Sequence, residues 1–295
     1  MFVQEVALVS ETTRVKTREL MRVGAALQKQ AARDFEPIWS VPATIDVFER
    51  LEDVPIGYWP VIIRDDIGFQ GAAGTHLDQD GQPFALVQAD EPWSLTASHE
   101  VLEMLADPFG NRVIAGDSIM PGQGQVEYLV EVCDPSEAAE FAYSVNGILV
   151  SDFYCPSFFD PLAVAGVRYS FVGAIKGPRQ VLSGGYLSWH NPVDDHWYQA
   201  RFFGPKLTFH DLGKFDDESS AMSLREWVDQ RSYDARRAYT GSAVTIQKTA
   251  VQAARDRGQL YAKSTRSRAR RWRTYTKKLL GRRQQAQGAR KRSGR

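Results

Sequence analysis

Apolar positions recur at two spacings along the first third of the chain, and the change of spacing divides it into elements. Between Glu11 and Asp34, Leu20, Val23, Ala26, Leu27 and Ala31 recur at the spacing of a helix with one buried face, and Pro37 is expected to end it. Ala43 to Phe48 alternates apolar and polar positions, and Tyr58 to Arg64, containing WPVII, suits a buried strand; Asp53 to Gly57 supplies the turn between them. Gly71 to Ala89 reads as two strand arms joined at Asp80-Gly81, a dipeptide suited to a tight hairpin. A second helix should follow, capped by Asp90 with Pro92 among its first residues, and should run to Ala106 before Asp107-Pro108-Phe109-Gly110 breaks it.

Further along, Val126 to Val132 reads as a strand or short helix with Asp134-Pro135 as a turn. The segment SFVGAIKGPRQVLSGGYLSWH reads as strand, turn, strand, and the aromatic set Trp189, Trp197, Tyr198, Phe202 and Phe203 suits a packed sheet. Ser223 is placed to cap a helix through LREWVDQRSYDARRAY, and a further helical stretch is expected from Val244 to Tyr261. The class expected is α+β: a small sheet packed on one central helix, a β-rich segment, and a helical basic C-terminal tail. The division expected is a core over 1–160, a β-rich extension of the same domain over 161–220, a helical segment over 221–262, and a basic, flexible tail over 263–295.

Charge sharpens that last boundary. The 36 basic and 36 acidic residues of the 295 cancel only on average: 14 basic and no acidic residues lie from Lys263 to Arg295, against 22 basic and 36 acidic before it. Within the tail, Arg268, Arg270, Arg271, Arg273, Lys277 and Lys278 are candidates for contact with nucleic acid or another polyanion, with Trp272 and Tyr275 available for stacking; the competing reading is a solvated extension. No run of about 18 apolar residues suggests a membrane span, and the first residues lack the pattern of a secretory signal, so a cytoplasmic protein is expected. Two cysteines, Cys133 and Cys155, fit that setting as free thiols and exclude a four-cysteine zinc knuckle.

The candidate chemistry sits in SHEVLEMLADP. At 100° per residue, His99, Glu103 and Asp107 share one helix face with Glu100 beside them, while Val101, Leu102 and Leu105 turn mainly to the other side. Imidazole and carboxylate at i and i+4 reach one ion, and three protein ligands plus water is the usual form of a catalytic zinc site. Glu100 is then free to act as general base on a metal-activated water. A third ligand must come from elsewhere. Glu131 is preferred, with Asp134 and Asp107 as alternatives, Asp107 either ligating or orienting His99. Cys133 is a possible soft ligand but is expected in the core. His76 is expected to line the cleft, His190 and His196 to lie in a loop beside Asp194 and Asp195, and His210 to have no functional neighbour.

This HExxE helix, preceded by the edge-strand-like GTHLDQDGQPFALV, resembles the zincin-type metallopeptidases, whose usual signature is HExxH. With VEVCDPSE, VSDFYCPSFFD and LSGGYLSWHNPVDDHWYQ it is similar to a group of bacterial proteins with HExxE followed by Asp-Pro, and more distantly to the plant EXORDIUM-like proteins. The resemblance covers Ile45 to Phe203 and departs from the peptidase pattern at Glu103, where histidine is usual. It implies a zincin-like fold, a bound zinc ion and a peptide or protein substrate. The two functions expected are a zinc-dependent, peptidase-like hydrolase and a non-catalytic zincin-like scaffold whose basic tail binds a polyanion.

Overall fold

The computed structural model describes residues 3–69, 72–90, 92–216, 222–232, 234, 235, 270, 271, 273 and 274. The chain is mixed α+β. Its first strand, β1 (Gln4–Ser10), carries Val6, Ala7, Leu8 and Val9, all fully buried. Such a continuous apolar run is what a parallel strand covered on both faces requires. β1 is an interior strand of a five-stranded sheet in the order β2-β1-β3-β5-β4, with β2 (Ala43–Phe48), β3 (Trp59–Arg64) and β5 (Gln82–Gln88) parallel to it. β4 (Gly74–Gln79) runs antiparallel to β5 on the outer edge, joined to it by a turn in which Asp80 and Gly81 both take positive φ.

The first helix is shorter at its start than its periodicity predicts and longer at its end. α1 (Thr17–Gln30) passes into a π-turn (Ala31–Phe35) and then α2 (Glu36–Trp39). Pro37 does not stop it, because a proline in the first turn of a new helical segment gives up no hydrogen bond; Ser40, in the left-handed conformation, does. α3 (Trp93–Ala106) begins after Pro92, and no side chain caps it. Asp90 is used instead as an acceptor for Arg14 and Gln88, which corrects the expected cap.

α3 packs on β4 and β5 and touches α1. Its register is held by Ser98, whose hydroxyl donates to Gln30 Oε1 at 2.7 Å and accepts the Ser151 N–H at 2.9 Å. Gln30 Nε2 in turn donates to the Ser151 carbonyl. The residue before His99 is thereby tied to α1 and to the end of the short hairpin β8 (Tyr143–Val145) and β9 (Ile148–Val150).

A second five-stranded sheet, entirely antiparallel, has the order β12-β11-β10-β7-β6, from β6 (Val113–Asp117), β7 (Gln125–Leu129), β10 (Tyr186–Asn191), β11 (His196–Arg201) and β12 (Thr208–Gly213). Pairing of β7 with β10 joins segments on either side of residue 160. Val126 to Val132 is thus a strand followed by a loop, and the loop carries Glu131. The expected strand through SFVGAIK does not form: that segment contributes one isolated bridge, Ser170 to Tyr154. It is held instead by the Phe171 N–H on the Phe153 carbonyl and the Val172 N–H on Asp152 Oδ1, while Arg179, itself at positive φ, clamps the preceding loop by donating to the carbonyls of Phe159, Asp160 and Pro161. The expected aromatic packing is present, with Trp189 set against Tyr128, Tyr198 and Phe209.

The 3-10 turn Asp134–Ser136 packs against the start of β10 in the second sheet. Gly185, at the start of β10, lies so close beneath it that a Cβ there would stand 2.6 Å from the carbonyl oxygens of Asp134 and Pro135. Backbone atoms cannot yield as a flexible side chain can. Gly185→Ala is therefore expected to lower unfolding stability by about 1–3 kcal/mol, the usual cost of overpacking. Gly204→Ala, at a site with open space, is expected to stay within about 0.5 kcal/mol; equal stability of both variants and the parent in denaturant titration would show that the turn is not clamped.

Candidate functional site

α3 does not present a polar face to solvent. Glu103 is fully buried and Glu100 is 3% exposed, so the carboxylates that the sequence places on one face of the helix point into the molecule. They meet residues from three other elements: His76 from β4, Glu131 and Asp134 from the loop after β7, and Arg225 from a further helix, α4 (residues 224–232). Ser223 caps α4 as its sequence predicts, its hydroxyl accepting the Glu226 N–H at 3.1 Å.

Glu103 is the hub. One of its oxygens, Oε1, accepts the Cys133 N–H at 3.2 Å; the other, Oε2, lies 3.1 Å from His99 Nε2 and 2.7 Å from Arg225 Nη1. His99 Nε2 is also 3.2 Å from Asp134 Oδ1. His99, at 13% side-chain exposure, is the most accessible member of this set. Arg225 Nη1 continues to Glu131 Oε2 at 3.0 Å and donates to His76 Nδ1, while its Nη2 lies 3.7 Å from Glu100 Oε2. His76 Nε2 donates to the Asp107 carbonyl at 3.0 Å, so its Nδ1 is the acceptor facing Arg225.

Charge and burial together set the protonation states. Burial alone would depress the His99 imidazole, but the Glu103 charge and the Asp134 hydrogen bond outweigh it and hold His99 well above its ordinary value. Glu103 is pushed up by burial, yet His99 and Arg225 carry it well below the carboxylate range. The opposite holds for Glu131, where burial and the Glu103 charge overcome Arg225 and raise it far above that range. Burial, then Glu103, raises Asp134 to about 6. Burial also raises Asp152, next to this loop, to about 6 against hydrogen bonds from Val172 and Ser170.

Some of these buried oxygens lack a well-aligned hydrogen bond: Glu100 Oε2, both oxygens of Glu131, and Asp134 Oδ1. Buried acceptors without donors are costly, and a cation is the partner that satisfies several at once. Four sets come close enough to share one ion: His99, Glu103 and Cys133; His76, Glu100 and Glu103; His99, Asp134 and Glu137; and Glu103, Glu131 and Asp134.

Of the sequence candidates, His99, Glu100, Glu103, Glu131 and Asp134 are brought together, and Asp134 rather than Glu131 is the one beside His99. Asp107 is not part of the cluster through its carboxylate. That group accepts the Arg112 N–H at 2.7 Å and closes the turn after α3, so Asp107 neither ligates with His99 nor orients it. Cys133 is in the core as expected, and both cysteines are free thiols. His76 lines the cluster. His190 and His196 belong to strands β10 and β11 rather than a loop, paired with Glu127 and Asp195 and with Asp211 respectively. His210, on the edge strand β12, meets Thr208. Arg225 escaped the sequence reading entirely. In the tail, Arg270, Arg271 and Arg273 are helical and exposed; Arg268, Lys277, Lys278, Trp272, Tyr275 and the stretch Val244 to Tyr261 lie outside the described residues.

The raised carboxylates fix the sign of a pH effect in metal-free protein. Asp134 and Asp152 keep their protons up to about pH 6 when folded but release them near 4 when unfolded, so each contributes stability at low pH that is lost as pH rises from about 4 through 6. Urea titrations across that window should show the decline, and Asp152→Asn, which cannot ionise, should flatten part of it; an unchanged slope would refute the assignment. Compared with protein-family models, curated proteins and solved structures, the chain has no match, so the geometry alone carries the functional reading.

Proposed function

We propose that this protein is a metal-dependent, peptidase-like hydrolase with a zincin-like core, its ion held within the cluster of His99, Glu103, Glu131 and Asp134. The observation that carries this reading is the convergence of His99 Nε2 with Glu103 Oε2 at 3.1 Å and Asp134 Oδ1 at 3.2 Å, in a cluster whose buried carboxylate oxygens want a cation. The donor set of one imidazole and carboxylates suits zinc. Glu131 is the next acidic group in reach and completes a set with Glu103 and Asp134. The parallel sheet with an antiparallel edge strand, β4, running beside α3 supports the zincin-like reading of the first half of the chain.

A bound divalent ion would supply Lewis acidity toward water and a substrate carbonyl. The chain's own residues do the rest. The Cys133 N–H and Arg225 hold the Glu103 carboxylate in one orientation, as outer partners of a ligand do. Glu100 Oε2 carries no hydrogen bond and is the acceptor available to take a proton from the attacking water. The near-complete burial of the carboxylates keeps bulk water away from them.

A second reading rests on Arg225. Its guanidinium already neutralises part of the cluster, as it would in a non-catalytic scaffold with the same core, whose partner is then a polyanion bound by the basic tail.

The two readings separate cleanly. Purified protein should hold about one zinc per chain by elemental analysis, and His99→Ala should lose it. Glu100→Gln should keep the metal while losing roughly 100- to 10,000-fold in hydrolysis of a peptide library. Absence of stoichiometric metal, or full hydrolysis by Glu100→Gln, would sink the hydrolase. Under the scaffold reading, truncation after Tyr261 should abolish salt-sensitive retention on nucleic acid; unchanged retention would sink that alternative.

A further inference from the structure

Two of the possible ligand sets, His76 with Glu100 and Glu103, and Glu103 with Glu131 and Asp134, share Glu103, and at that junction sits the guanidinium of Arg225. Nη1 alone reaches Glu103 Oε2 at 2.7 Å, Glu131 Oε2 at 3.0 Å and His76 Nδ1, and Nη2 faces Glu100. A protein cation therefore stands where carboxylates from α3 and the loop after β7 converge. A metal ion bound through Glu103 in this cluster would share that carboxylate with it, at a separation where like charges repel strongly in a site closed to solvent.

The element that delivers Arg225 is built as an attachment. Trp227 and Val228 of α4 form a small apolar cluster with Leu129 and Trp197, separate from the main core. Arg231 stacks over the Trp227 ring at 3.8 Å. Backbone contacts fasten the start of α4 to the turn after α3: Arg225 N donates to the Gly110 carbonyl and Leu224 N to Asn111 Oδ1, both at 2.9 Å. Gly110 permits this approach, since a Cβ there would stand 3.0 Å from Arg225 Cβ and Ser223 Oγ, and its φ is positive. Such a satellite can loosen at lower cost than the main core.

We propose that Arg225 is a resident cation that competes with the metal for Glu103 and Glu131, and that the docking of α4 through Trp227 sets how tightly the site binds its ion. The inference rests on the metal-binding reading above. Arg225 is on this account a determinant of metal affinity, not a group that touches substrate.

The test is zinc affinity of the full-length, metal-stripped protein, measured by competition with a chromophoric chelator, for the parent, Arg225→Met and Trp227→Ala. Both variants are expected to bind zinc at least tenfold more tightly than the parent. Millimolar guanidinium should weaken binding to Arg225→Met by restoring the missing occupant, and should leave the parent unchanged. Trp227→Ala retains every charged group of the site, so a gain there reports release of α4, and it carries the test if Arg225→Met does not fold without metal. Equal or weaker affinity in the variants overturns the competition while leaving the metal reading in place; weaker binding by Arg225→Met would make the arginine a positioning residue for the ligands. Failure of all three proteins to bind zinc overturns both.

Discussion

The contact between the Arg225 guanidinium and the carboxylates of Glu103 and Glu131 is the constraint around which the rest of the molecule is arranged. An ionised carboxylate cannot remain at zero exposure without a counter-charge, and Glu103 has two, Arg225 and His99. Removing one partner of a buried pair of this kind typically costs about 3–5 kcal/mol, a large fraction of the stability of an ordinary domain. The first sheet brings His76, α3 brings Glu100 and Glu103, the loop after β7 brings Glu131 and Asp134, and α4 brings the positive charge. Each of these elements has its own apolar reason to be where it is, but only the ionic cluster requires all four.

One contact of the second sheet bears directly on the cluster. The 3-10 turn at Asp134 is pressed against Gly185 from the second sheet, while Asp134 itself reaches back to His99 on the helix of the first. Ser98, one residue earlier, is fixed by Gln30 and Ser151. The histidine is thus flanked by a neutral hydrogen-bonded brace on one side and an ionic one on the other. Position along α3 is governed by the brace and charge by the cluster, two tasks assigned to adjacent residues.

Local patterns in the sequence were readable where local physics decides the outcome. The Asp80-Gly81 turn, the strand from Trp59 to Arg64, the cap at Ser223 and the histidine and carboxylates of α3 follow from turn chemistry, β-propensity and helical spacing. What was missed depends on distant partners. Glu5 to Ser10 reads as an unremarkable lead-in until two later strands flank it in a sheet, although its run of Val, Ala, Leu and Val is the mark of a strand covered on both sides. Arg225 sits 122 residues from Glu103 in an amphipathic stretch where an arginine ordinarily faces water. The choice between Glu131 and Asp134 turned on the direction of a loop after β7, which no periodicity encodes. The segment after Ser170 carries strand-like residues, but the Asp152 carboxylate and the Ser170 hydroxyl take its N–H groups in place of a strand partner.

The interior position of β1 also bears on the order in which the protein can assemble. β1 needs neighbours on both sides, and those neighbours, β2 and β3, follow it in the chain only after a whole helix and its π-turn. During synthesis an apolar ribbon with two unsatisfied edges must wait for more than fifty residues to follow it before both are paired. A parallel sheet of this kind cannot zip up from a hairpin, and its early exposure is a window in which chaperone capture or strand exchange between nascent chains competes with folding.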